Sequence, residues 1–94
     1  MDFFEFKASL QDDRPPGGIS NLLVALWHDK KGDWEAAHNI SQDVKSPEGS
    51  LVHAYLHRKE RDLSNASYWY SRAGRKLPAY SLDEEWVNIV QELL

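Results

Sequence analysis

The chain has 94 residues, no cysteine, and 15 acidic against 11 basic side chains for a formal net charge of −4. That length makes one small domain with a single modest core. The missing cysteines exclude disulfide stapling and thiolate chemistry, and the negative charge argues against a general nucleic-acid binder.

Residues 1–18 read as an N-terminal arm and linker. The start Met-Asp-Phe-Phe-Glu-Phe-Lys places acids among its aromatics and lacks the basic start and long apolar run of a signal peptide. Phe3, Phe4, Phe6 and Leu10 suit a short helical turn or a docked extended arm. In the following QDDRPPGG stretch, from Gln11 to Gly18, the proline pair forbids helix and the glycine pair lets the chain turn. Residues 19–94 read as a helical-hairpin domain, with hairpins at about 20–45 and 47–77 and a terminal helix at about 81–94.

Ser20 caps a first helix running to about Lys31, whose apolar stripe is Leu22, Leu23, Leu26 and Trp27. Gly32 supplies a left-handed stop, and Asp33 caps a second helix that buries Trp34, Ala37, Ile40 and Val44. Ser46-Pro47-Glu48 starts a third helix: a capping hydroxyl, Pro at the first helical position, then an acid on the positive dipole end. This helix presents Leu51, Val52, Tyr55 and Leu56. Asp62 caps a fourth, with an inner stripe of Leu63, Ala66, Tyr70, Ala73 and Leu77; Gly74 ends it and Pro78 bars continuation. Ser81 with Glu84 makes a capping box for a fifth helix, which has Leu82, Trp86, Ile89, Val90 and Leu93 on one side. The expected fold class is all-α. No apolar run approaches the ~20 residues that cross a bilayer, so a cytoplasmic protein without membrane contact is expected.

The chain also repeats itself. Laid 29 residues apart, Leu22/Leu51, Ala25/Ala54, His28/His57, Lys30/Lys59, Asp33/Asp62 and Ala37/Ala66 are identical, while Leu23/Val52 and Trp34/Leu63 match in character. A helical pattern at a period of roughly 20–50 residues marks a stacked hairpin array. Gly32-Asp33-Trp34-Glu35-Ala36-Ala37 resembles the turn between the two helices of a tetratricopeptide repeat. Residues 65–73 (NASYWYSRA), with Pro78 beyond them, resemble the second helix of Sel1-like and tetratricopeptide repeats. The resemblance spans about residues 20–78 and implies two tetratricopeptide-like hairpins plus a C-terminal capping helix, an α-α superhelix arrangement. Ala25 and Ala54 then stand at helix crossings of about 8–10 Å, where a longer side chain has no room. As a whole the chain resembles small uncharacterised bacterial proteins sharing a HAYLHRKE…YWY core, a likeness that implies no activity. The period is about a turn shorter than the family's ~34. Arg61 replaces the glycine expected before Asp62, so the second turn is expected to close differently from the first.

All four histidines, His28, His38, His53 and His57, fall in the repeat region. His53 and His57, four apart on one helix, stack two imidazoles on one face as metal-binding helices do, with Glu60 the nearest acid on that side. His28 and His57 occupy equivalent places in the repeat. Two readings follow: a metal or small-molecule site, conceivably enzymatic, at His28, His53 and His57, or partly buried histidines hydrogen-bonded across the hairpin with depressed pKa values. No Gly-flanked Ser elbow, Gly-rich phosphate loop or catalytic carboxylate pair is present, so no catalytic residue and no cofactor are assigned. Tyr68-Trp69-Tyr70 looks like a stacking platform, but consecutive helical residues point about 100° apart. Tyr70 is therefore assigned to the hairpin interior and Trp69 to the terminal helix.

The basic residues split into two patches, Lys30, Lys31, Arg58, Lys59 and Arg61 at one edge and Arg72, Arg75 and Lys76 at the other, a poor match to a nucleic-acid track. The resemblance implies an inner face, built by the first helices, that binds another polypeptide. Here that face is Leu22, Leu26, Lys30, Leu51, Tyr55, Arg58 and Lys59. An apolar floor with cations at one end suits a segment bearing acidic groups or a free carboxylate. The alternative is that the N-terminal arm or a second subunit covers these residues, leaving a monomer or a homodimer.

Overall fold

Local capping sets where each helix begins. The computed structural model describes residues 1–94 and contains six α-helices, a 3-10 turn at Ser9–Gln11 and no strand. The helices are α1 (Phe3–Ala8), α2 (Asn21–Lys30), α3 (Trp34–Gln42), α4 (Pro47–Lys59), α5 (Leu63–Arg72) and α6 (Leu82–Leu93). Asp2, Ser20, Asp33, Ser46, Asp62 and Ser81 each accept a hydrogen bond from the backbone N–H three residues on. Each cap satisfies an amide that its helix leaves free. No helix is long and apolar enough to cross a membrane.

The ends of α2 and α4 are alike. Gly32 (φ 91°) and Arg61 (φ 67°) are both left-handed. The Asp33 N–H then donates to the His28 carbonyl at 2.8 Å, and the Asp62 N–H to the His57 carbonyl at 2.9 Å, the bond that seals a helix ending in a left-handed residue. The expectation that Arg61 would change this turn is corrected. The carbonyl bond and the Asp62 cap hold Arg61 in place, at about 1 kcal/mol relative to glycine.

Helix α2 packs on α3, α4 packs on α5, and α3 lies against α4. Ala25, Ala37, Ala54 and Ala66 are fully buried, and their methyl groups let these helices approach closely. Leu63 and Leu77, both expected in the inner stripe of the fourth helix, are exposed: Leu63 opens α5, and Leu77 lies beyond it, because the helix ends at Arg72 ahead of the left-handed Gly74.

The last helix, α6, lies across α2 as well as α4, so it caps the second hairpin and reaches the first. Trp86 is 1% exposed and donates its indole N–H to the Leu26 carbonyl at 3.0 Å. Phe6 of α1, also fully buried, stands 6.0 Å from it, centroid to centroid. Burying an indole removes ~200 Å² from water, worth about 5 kcal/mol.

Two buried carboxylates fasten this side. Asp29 on α2 accepts from the Tyr55 hydroxyl at 2.8 Å and from Lys59 Nζ at 2.9 Å. Glu85 on α6 accepts from the Tyr70 hydroxyl at 2.6 Å and from Arg58 Nη1 at 2.8 Å. Burial first, and then the neighbouring carboxylate, pushes both phenols well above the usual tyrosine range.

Candidate metal centre

The expected peptide-binding face is not an open surface. Leu22, Leu26, Leu51 and Tyr55 all belong to the buried core. The cations expected to meet a partner's acid meet the chain's own carboxylates: Lys30 pairs with Asp83, Arg58 with Glu85 and Lys59 with Asp29. The physical reason is the docking of α1 and α6. Trp86 and Phe6 occupy the groove, and α6 brings Asp83 and Glu85 to the cationic edge.

A different cluster gathers where α3 meets α4. His38 on α3 and His53 and His57 on α4 each place one ring nitrogen within 4.8 Å of the others. The Nε2 atoms of His38 and His53 are 3.0 Å apart, close enough to share one proton. His53 and His57 stack at 4.7 Å between centroids, as their four-residue spacing predicts. His57 donates from Nδ1 to Glu60 Oε1 at 2.6 Å, which in the neutral ring leaves Nε2 with its lone pair free.

Tryptophans wall the cluster on two sides. Trp34 stacks on His38 at 4.8 Å and donates its indole N–H to the Leu56 carbonyl on α4, pinning α3 to α4 beside the histidines. Trp69 of α5 stacks on His53 at 4.1 Å. That contact corrects its assignment to the terminal helix: α5 turns Trp69 toward α4 while Tyr70 faces α6. His28, grouped with His53 and His57 on repeat position, lies elsewhere, against Trp27 on α2. Equivalent places in α2 and α4 have different neighbours, because α4 lies between α3 and α5 whereas α2 packs on α3 and α6.

The environment favours neutral imidazoles at His38 and His53. Burial, then the neighbouring His38 and His57, lowers the His53 pKa to about 4, with Lys45 adding to the effect. His38 is lowered mainly by burial and then by His57, against an opposing pull from Glu60. The lowered values thus fall on His38 and His53, the pair that share a hydrogen bond across the α3–α4 seam. A neutral imidazole carries the lone pair that a metal requires.

Chemically, three imidazoles without thiolate suit zinc and its first-row neighbours, and three protein ligands leave a coordination position open. Tetrahedral coordination at ~2.05 Å places ligand nitrogens about 3.3 Å apart, so the His38–His53 pair at 3.0 Å must shift by tenths of an ångström, and the separations to His57, held within 4.8 Å, must close to the same spacing. The Glu60–His57 hydrogen bond is of the kind that orients a metal-ligating imidazole and fixes its tautomer. A second trio, His57, Glu60 and Asp62, also comes together, but its acids lie toward solvent and Asp62 is engaged in capping α5.

His38 is the member that sequence reasoning left out. Its signal was its position four residues after Trp34, which places both on one face of α3. Neither the family models, nor the curated proteins, nor the solved structures give a match to this chain.

Proposed function

We propose that this protein binds a divalent transition metal of the zinc type through His38, His53 and His57, on a scaffold we read as two tetratricopeptide-like hairpins. The metal assignment is carried by one observation: three imidazoles from two helices converge while Glu60 holds the outer nitrogen of one of them. The repeat assignment is supported by the matching α2 and α4 ends and by buried Ala25 and Ala54 at equivalent positions. A polypeptide on the inner face would have to displace Trp86, so the proposed activity is placed at the outer seam.

The test is a titration of tag-free protein with cobalt(II) and zinc, followed by calorimetry and by the visible absorption of tetrahedral cobalt. One metal per chain is expected. Binding should be lost in His38→Ala and His53→Ala with helical circular dichroism retained, and unchanged in His28→Ala. Glu60→Gln should weaken it about 10- to 100-fold. Protein that takes up no metal, or binds it equally well without His38, would make the cluster an aromatic seam of the core.

A further inference from the structure

Beside His53 the surface opens into a cavity of about 350 Å³ between the α3–α4 connection, the first turns of α4 and the end of α5. His53 and Trp69 line it, and Lys45 and Arg72 stand in its wall. No aspartate or glutamate is among its lining residues, although acids outnumber bases in the chain. Neither cation is neutralised by the protein. Lys45 Nζ donates to the Gln42 carbonyl at 3.0 Å, while Arg72 lies 5.5 Å from the Trp69 ring and donates to the Tyr68 hydroxyl. The remaining polar lining includes the hydroxyls of Ser46 and Ser50.

We propose that this cavity receives a small ligand through an anionic oxygen group, carboxylate or phosphate, held by Arg72 and Lys45 beside His53 of the proposed metal centre. The inference rests on the metal assignment for the neighbouring centre, but the anion pocket has its own basis in the paired cations and absent acids. Arg72 supplies the planar fork that matches two oxygens of one anion. Lys45 supplies a mobile point charge that also reaches the field of His53. The volume lies at the low end for ligand sites, about 300–1,000 Å³, which fits a metabolite-sized molecule rather than a peptide. His53 belongs to both sites and makes a ligand in the cavity a neighbour of the metal.

Inorganic phosphate and acetate distinguish the two sources of anion. Each is titrated into metal-free and cobalt-loaded protein, with amide chemical shifts of Gly49 and Ser50 read in the metal-free form and the cobalt spectrum in the loaded form. The expected result is saturable binding in both forms, tighter with cobalt, and a changed cobalt spectrum. Arg72→Gln should weaken binding of the better anion about tenfold, and Lys45→Gln should weaken it less. Cobalt affinity should stay within about twofold in both variants, because neither side chain is a ligand. Without saturable amide shifts in the metal-free form and a cobalt response in the loaded form, or with affinity indifferent to Arg72, the anion site is overturned while the metal site stands. If cobalt does not bind but phosphate shifts Gly49 and Ser50 through Arg72, the metal assignment fails and the proposed joint site fails with it.

Discussion

Glu85 tests whether α6 is locked by its carboxylate or merely by apolar burial. The side chain is 2% exposed, and its oxygens serve two donors on other helices, the Tyr70 hydroxyl at 2.6 Å and Arg58 Nη1 at 2.8 Å. Arg58 also donates to the Tyr80 carbonyl at 2.5 Å, so its guanidinium ties α4 to the segment leading into α6. Glu85→Ala removes both acceptors, leaving a buried hydroxyl and a largely buried guanidinium unpaired; the expected cost is about 3–5 kcal/mol. Glu85→Gln keeps the volume, but its amide nitrogen must face a donor, and about 1–3 kcal/mol should be lost. Tyr70→Phe removes one donor and should cost about 1–2 kcal/mol. Because Tyr70 and Glu85 share one bond, the double variant Tyr70→Phe/Glu85→Gln should show non-additivity of about 1–2 kcal/mol. Urea melts followed by circular dichroism and tryptophan fluorescence measure all four corners of the cycle. Strict additivity, or a Glu85→Ala loss below about 1 kcal/mol, would mean that Trp86 burial alone seats α6 and would refute the role given to the carboxylate.

Two further predictions concern the histidines and the turns. Since folding lowers the His53 pKa from 6.5 to about 4, the unfolded chain binds the extra proton first. Stability of the metal-free protein is therefore full above pH ~6.5 and declines toward pH ~4, by about 2 kcal/mol between pH 7 and 5; melting curves should show the drop in wild type and His28→Gln and a smaller drop in His53→Gln. Arg61→Gly should stabilise by about 0.5–1 kcal/mol by relieving a left-handed side chain. Gly32→Ala should destabilise by about 1 kcal/mol through φ alone, because an added Cβ meets nothing within 4 Å; two neutral urea midpoints would remove strain from the account of both turns.

What could be read before folding was local. Ser20, Asp33, Ser46, Asp62 and Ser81 accept the amide three residues on as their sequence neighbourhoods indicate, since a cap depends on one turn of chain. The all-α class followed from the same short-range periodicity. What covers the inner face is a long-range matter: the Trp86–Leu26 bond joins residues 60 positions apart, and an apolar stripe does not name its partner. Repeat register placed His28 and His57 correctly along their helices, as their matching carbonyl bonds to Asp33 and Asp62 attest. It gave no information on sideways neighbours, so it grouped His28 with the pair and passed over His38. Only the packing of α3 on α4 brings that ring across, and 15 residues separate it from His53.

Two kinds of buried polarity therefore divide the molecule. Asp29 and Glu85 each have two donors supplied by the chain, and a carboxylate so satisfied needs nothing more; such a node specifies one arrangement of helices. His38 and His53 differ, because their side chains' hydrogen bonding is with each other and the fold lowers both pKa values. Holding these imidazoles neutral sacrifices stability on acidification that apolar side chains of similar size would not lose. The cluster also opens at His53 onto a cavity with unneutralised cations, whereas the Asp29 and Glu85 carboxylates are closed off from solvent. A structural seam would be served by phenylalanine or leucine. Three imidazoles beside an open pocket are the arrangement that the proposed metal site requires.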